Sequence, residues 1–423
     1  MAPALEVQED SSLTEMQRPG ESVTAWQQPG PAAVDFRKPI KGDITTTSTP
    51  AMLAAIAKAG INDGWTASGA LEHEALFSKL CGRESALFMI SSTMSNQIAL
   101  RAHLTQPPVG VIVDERSHIL HQEAGGMSIL SGALPQTVRP SNGLYMRLED
   151  IKRKVVISDG SDACTTPTRL IHIENPLGGL IMPLKELRRI KDWASENNIK
   201  VHVDGSRLWE AVVVGAGSLV DFCQATDSMN LCLTKGIGAP VGSVLIGDKE
   251  FIRIARWNRK SVGGAMRQPG IVSTMAWAAV VEAFGQDPNG KNSLLHINSV
   301  HAARIASLWQ ELGGKLLVPQ QTNMIWLDLA VAGISEDEWE RLAALRGLHV
   351  HSTRLVFHYL EVLLTYQTEQ SDQAIEELEE HIRSVMSGTV REPLIEDVPR
   401  NDVGSRLTIS MQETLQLASF GVY

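Results

Sequence analysis

Short apolar runs alternate with longer stretches of helical periodicity through the middle of this chain. Helices are expected over Ala51–Ala59, behind a Thr45–Pro50 loop and cap, and over Leu71–Leu80, stopped by Gly82. Buried strands are expected at Ala86–Ile90, Val109–Val113, Leu170–Glu174, Lys200–Asp204 and Met229–Leu233. Between them the pattern predicts helices from the Ser91–Gln97 hydroxyl cluster to His103, over Gln122–Leu130, over Leu184–Asn197 and onward from Leu208. Strand and helix alternate from Ala86 to Leu245, the signature of an α/β fold with a mainly parallel sheet. Further on come a basic helix (Phe251–Arg259), an Ala/Val-rich helix (Pro269–Phe284) and a turn at Gln286–Gly290 that marks a domain joint. Helices at Asn298–Leu312, Ser335–Arg346 and Asp372–Met386, with strands at Met324–Leu329 and Arg354–Phe357, make a smaller α+β unit. The expected organisation is a disordered arm (1–34), a large domain (35–290), a small C-terminal domain (291–388) and a tail (389–423).

Composition narrows the class. The 423 residues carry 43% hydrophobic and 20% charged positions, ordinary for a globular protein with sizeable cores. A net charge of -10 argues against nucleic acid or an anionic membrane as partner. The four cysteines, Cys81, Cys164, Cys223 and Cys232, are scattered and form no CxxC pair, so neither a zinc site nor a disulfide framework is indicated. No apolar run approaches membrane-spanning length, and residues 1–27 lack the apolar core of a secretory signal, so a cytoplasmic protein is expected.

The chemistry gathers at strand ends, where ligands of parallel sheets bind. Lys235 follows the Met229–Leu233 run and opens the glycine-rich loop Gly236–Gly242. A lysine there can form a Schiff base with an aldehyde, and glycines let a bulky group approach the backbone. Asp204 ends the preceding strand and can pair with a protonated ring nitrogen, the contact that keeps pyridoxal phosphate an electron sink. His118 can stack on the ring. Ser92 and Thr93 open a helix and can hold a phosphate, and Arg207 can grip an amino acid carboxylate. Each residue alone has a bland reading as a cap, a loop histidine or a surface ion pair. Together they specify a fold-type I pyridoxal 5'-phosphate enzyme.

At this point the chain resembles the threonine aldolases of the aspartate aminotransferase superfamily. The matching segments are Ser91–Gln97, Asp114–His118 with Glu123–Gly126, Glu174-Asn175, Asp204–Trp209, Leu233–Ser243, Gly263–Gln268 and Arg354–Tyr359, in one order over roughly Asp35 to Ser387. The resemblance implies a large domain with a mainly parallel sheet plus a small C-terminal α+β domain. It implies that Lys235 carries the cofactor, Asp204 meets the ring nitrogen and His118 stacks on the ring. Ser92, Thr93, Lys260 and Arg267 would lie near the phosphate, the last two reaching a neighbouring subunit's site in a homodimer or homotetramer. Arg207 and Arg354 would bind the substrate carboxylate, and Glu123 would be an acid/base near the cofactor.

The departures touch the substrate side. Gly42-Asp43-Ile44 stands where the family has Ser-Asp-Thr, and Gly60–Trp65 replaces a segment ending in tyrosine. Cys164 falls where a histidine handles the substrate β-hydroxyl, and His358–Gln367 reads as an insertion. The expected reaction is aldol cleavage of a β-hydroxy-α-amino acid of the threonine or allo-threonine type to glycine and an aldehyde. The alternative is an alanine racemase on the same scaffold, with Cys164 as filler or second base. A non-catalytic relative is disfavoured by the presence of Lys235, Asp204, Arg207 and His118 together.

Overall fold

The computed structural model describes residue 43 and residues 48–58, 70–158, 161–346, 348, 350, 352–359 and 369–388. The expected arm, the Gly60–Trp65 departure, all of the expected insertion but His358 and Tyr359, and the tail lie outside the described residues.

Seven strands form the main sheet: β1 (Ser85–Met89), β2 (Val109–Asp114), β3 (Ala133–Val138), β4 (Thr168–Glu174), β5 (Lys200–Asp204), β6 (Ser228–Cys232) and β7 (Ser243–Gly247). Their order is β1-β7-β6-β5-β4-β2-β3. The run from β6 to β3 is parallel, and β7 lies antiparallel to both neighbours. The α/β fold with a mainly parallel sheet is therefore as expected. Strand β3 escapes a sequence reading because Pro135 interrupts it. It is an edge strand, where proline costs no interior ladder bond.

Helices cover both faces. On β5, Val201 and Val203 point into the larger core with Ile171 and Ile173 of β4. Each such side chain, fully buried, stabilises by about 1.5–3 kcal/mol. The alternate residues His202 and Asp204 point to the other face, under the helix Ser92–His103, and are buried as well. A strand with polar residues on a buried face must satisfy them internally. That requirement shapes the site described below.

One expected helix is broken. Gln122–Leu130 is not continuous: helical turns at His118–His121 and Gly126–Ser131 flank a kink at Ala124 (φ 52°) and Gly125 (φ 69°). Two successive left-handed residues cannot continue a right-handed helix. At Gly126 a Cβ would sit 2.7 Å from the Gln97 side chain, so only glycine lets that amide pack there.

A second sheet, order β10-β9-β8, joins β8 (Lys315–Leu316), β9 (Met324–Asp328) and β10 (Arg354–Val356), all antiparallel. Its own core runs from Ala302 to Val385. The turn at Gln286–Gly290 does not end the first core, since Leu295 lies in it and Asn298 Nδ2 donates to Glu210 Oε1 at 2.9 Å. The helix His296–Glu311 thus has one end in each core. Among the described residues no helix is long and apolar enough to cross a membrane.

Candidate active site

Strands β4 and β5 end level at Glu174 and Asp204, which lie in register with Asn230 of β6, a strand that runs two residues further to Cys232. Gly205 follows Asp204 so closely against β6 that a Cβ would meet the Asn230 carbonyl at 2.8 Å. The Asp204 carboxylate is buried and takes three donors: Asn96 Nδ2 at 2.8 Å, Asn230 Nδ2 at 3.0 Å and the Ser206 amide at 3.0 Å. Burial alone would raise its pKa. The Lys235 ammonium, His172 and the Asn96 and Ser206 hydrogen bonds outweigh burial and hold it well below the carboxylate range.

Glu123 is also buried, with both oxygens engaged. It accepts from Asn96 Nδ2 at 2.8 Å, Gln97 Nε2 at 2.7 Å and His118 Nδ1 at 3.0 Å. Its hydrogen bond to His118 raises the imidazole's pKa against the effect of burial. The His118 side chain keeps 33% of its surface exposed, with its ring nitrogen tied back to Glu123. The carboxylate expected to act as acid or base is thus committed to holding the histidine.

Glu174, not singled out by sequence as a site residue, accepts from the His118 amide at 2.9 Å. Burial and the Asp204 charge push it up to about 7, against the His118 amide and the Lys235 charge. A carboxyl titrating there is suited to proton transfer at neutral pH.

Lys235 follows β6 and is half-buried, with no hydrogen bond or ion pair to its ammonium among the described residues. Its backbone is held from the second sheet. His358 Nε2 lies 3.1 Å from the Lys235 carbonyl, and Tyr359 Oη donates to the Ile237 carbonyl at 3.0 Å. His358-Tyr359 therefore begins as a clamp on the lysine loop.

Arg207 is not free. Its Nε and Nη2 donate to Asp43 at 2.6 and 2.8 Å. Burial opposes this pair, but each partner holds the other charged, with Arg207 well above and Asp43 well below its ordinary range. Arg354, on β10, lies 5.9 Å over the Trp326 ring, and Trp326 Nε1 donates to the Gly178 carbonyl at 2.9 Å. Burial, then the Arg207 charge, lowers Arg354 to about 10.

At the start of the helix Ser92–His103, Ser91 caps by accepting the Met94 amide, while Ser92 Oγ is buried with no partner. Thr93 stands beside it, half-buried. An orphaned hydroxyl at a helix N-terminus fits a phosphate. Lys260 and Arg267 are exposed, flanking a segment that reaches the first turn of this helix where Gly264 meets Met94. Cys164 does not join the cluster. It is exposed, its amide bonded to Asp162, and precedes Thr168 at the start of β4, whereas Glu174 is at the end. Seven extended residues separate the two ends by about 20 Å. An offset of a residue in the alignment does not close that gap.

Sequence reasoning missed Asn96, Asn230, Glu174 and Asp43 as partners within the site. The Beta-eliminating lyase family model matches residues 40–332. The chain belongs to this family. Among its relatives, aldolase vrtJ of Penicillium aethiopicum is 42% identical over 90% of this chain and 93% of its own length. Alanine racemase TOXG of Cochliobolus carbonum is 39% identical over 79% and 85%. The low-specificity L-threonine aldolase of Candida albicans is 45% identical over 60% and 67%. The fold matches a threonine aldolase structure from Leishmania major with a TM-score of 0.66, at 19% identity over 81% of this chain and 98% of that one. The lyase family and the fold-type I scaffold are those expected from the sequence.

Proposed function

We propose that the chain is a pyridoxal-phosphate-dependent aldolase that cleaves a β-hydroxy-α-amino acid of the threonine or allo-threonine type to glycine and an aldehyde. The observation that carries this reading is Asp204, held ionised in complete burial by three N–H donors and facing the Lys235 charge. A buried ionised carboxylate calls for a cation against it, and a protonated ring nitrogen would add that charge to the one Lys235 supplies. The orphaned Ser92 hydroxyl supports a phosphate at the far end of the same group, with Thr93 beside it. When bound, pyridoxal phosphate supplies the electron sink that accepts the pair released from the broken Cα bond.

The chain's own residues do the rest. Lys235 would hold the cofactor's aldehyde carbon, and His358 and Tyr359 fix the lysine loop through the Lys235 and Ile237 carbonyls. His118, tied by Glu123, would stack on the cofactor. Arg354 binds the substrate carboxylate, with Arg207 adding positive potential from its pair with Asp43. Glu174 takes the β-hydroxyl proton, in place of the acid/base assignment to Glu123 and of any part for Cys164. Lys260 and Arg267, exposed on one copy, serve the phosphate of a neighbouring copy in a homo-oligomer.

The aldolase and threonine aldolase relatives support cleavage as the main reaction. The second reading, alanine racemisation, is favoured by the racemase relative, which spans most of the chain. Incubation with L-threonine, L-allo-threonine and both alanine enantiomers, followed by chiral amino acid analysis, separates them. Glycine with acetaldehyde is expected. Interconversion of alanine enantiomers without glycine would replace the aldolase reading by the racemase one.

A further inference from the structure

Behind Asp204, on the same buried face of the sheet, a row of polar side chains runs outward to the helix end at His103. Asn96 Nδ2 lies 2.8 Å from both Asp204 Oδ2 and Glu123 Oε1. Asn96 Oδ1 lies 3.3 Å from His202 Nε2, and His202 Nδ1 lies 2.8 Å from Ser228 Oγ. Ser228 Oγ lies 2.7 Å from His103 Nε2. His103 is half-buried and stacks on Phe251 at 4.4 Å.

The carboxylates fix the direction of every proton in this row. An ionised carboxylate only accepts, so the Asn96 amide must face it with nitrogen rather than oxygen. Its oxygen is then left to accept from His202. Burial lowers the pKa of both imidazoles, that of His103 to about 4 and that of His202 well below its ordinary value, so each is neutral at pH 7 and has one N–H. With the Asn96 oxygen opposite it, Nε2 carries the His202 proton in this row, which leaves Nδ1 to accept from the Ser228 hydroxyl although the Ser228 carbonyl also lies near the ring. Having donated its proton, Ser228 Oγ accepts from His103 Nε2. Reversing any one bond would put two acceptors or two donors face to face.

We propose that His202 is a positioning residue for Asp204: its Nε2–H locks the Asn96 amide so that both amide hydrogens lie on the Asp204 and Glu123 carboxylates. One imidazole thereby sets the aim of the group that meets the cofactor ring and of the group that holds His118. This role rests on the cofactor reading above, whereas the proton order of the row is a property of the protein itself.

Ring ¹⁵N NMR of the full chain with pyridoxal phosphate bound, histidines labelled, tests it first, the signals being assigned from H202Q and H103Q. His202 and His103 are expected as neutral Nε2–H tautomers from pH 6 to pH 8. A protonated His202, or an Nδ1–H tautomer, would overturn the proposal. Two variants test the consequence. H202M has no donor and should lower kcat roughly tenfold, the effect of one buried hydrogen bond, with little change in KM. It should also shift the pH titration of the cofactor's visible band. H202Q can offer an amide N–H in place of Nε2 and should recover most of both. Equal losses in the two variants with an unshifted band, or no loss in H202M, would overturn the positioning role. If the tautomers hold but D204N keeps wild-type absorbance and turnover, the cofactor placement falls and the role with it, while the proton order stands.

Discussion

Arg207 closes a two-point ion pair on Asp43, Nε to Oδ2 at 2.6 Å and Nη2 to Oδ1 at 2.8 Å, with 13% and 1% of the side chains exposed. A bidentate pair of this kind uses the fork that would otherwise grip a carboxylate. Arg354 makes no ion pair among the described residues and lies close enough to Arg207 and Asp43 to feel both charges. On the proposed reading, substrate carboxylate recognition would fall to Arg354. R354Q is expected to raise KM for threonine roughly 10- to 100-fold, the value of one charge-assisted hydrogen-bond pair, with kcat changed much less. Steady-state kinetics check this. An unchanged KM would return the carboxylate to Arg207.

The Glu174 carboxyl, raised to about 7 chiefly by burial and then by the Asp204 charge, must be ionised to accept a proton. Cleavage measured as kcat/KM is expected to rise with pH through about 7 and then level off. E174Q should lose that limb along with most of its rate. A wild-type profile flat from pH 6 to pH 8, or an E174Q profile keeping the limb, would remove Glu174 from the proton path.

Glu210 lies under the lysine loop, where a Cβ on Gly236 would meet its Oε1 at 2.6 Å. Burial, then the Asp43 charge, raises its pKa to about 8 against the Asn298 hydrogen bond. An acid raised on folding adds stability that is fully present below its unfolded pKa, near 4.5, and is lost as pH climbs through about 8. E210Q cannot ionise, so wild type and variant should melt alike near pH 4. At pH 9 the variant should melt higher, by on the order of several degrees. Melting curves that stay parallel across this range would contradict the assignment.

Cys164 is exposed at the start of β4, away from the level strand ends. C164H is therefore expected to leave threonine cleavage and alanine racemisation within about twofold of wild type, as surface substitutions do. A large gain in cleavage would mean that the segment before β4 reaches the site.

What was legible in the sequence was the chemistry that sits at strand ends. Lys235 and His118 each come soon after a strand with a long apolar stretch, and Asp204 ends the short alternating strand Lys200–Asp204, patterns that keep their signal whatever packs around them. What was hidden depends on pairing between distant elements. Asn96 looks like an ordinary helix residue until the helix lies over β5, and Asp43 means nothing until the turn after Asp204 brings Arg207 to it. His202 and Ser228 need the register of β5 against β6, which no local pattern encodes. The Glu123 helix broke for a similar reason: amides from another element draw its carboxylate inward, and left-handed backbone at Ala124 and Gly125 allows it. The joint at Gln286–Gly290 is a real turn, but a local turn signal cannot show that Leu295 still packs into the first core.

The most direct measurement is the position of the covalent attachment. The purified protein, loaded with pyridoxal phosphate, would be reduced with borohydride, digested and mapped by mass spectrometry. A single modified peptide carrying the label on Lys235 is expected, and K235A should show no label, no visible band above free cofactor and no threonine cleavage. Label on another lysine, or stoichiometric label retained in K235A, would contradict the placement of the site at the end of β6.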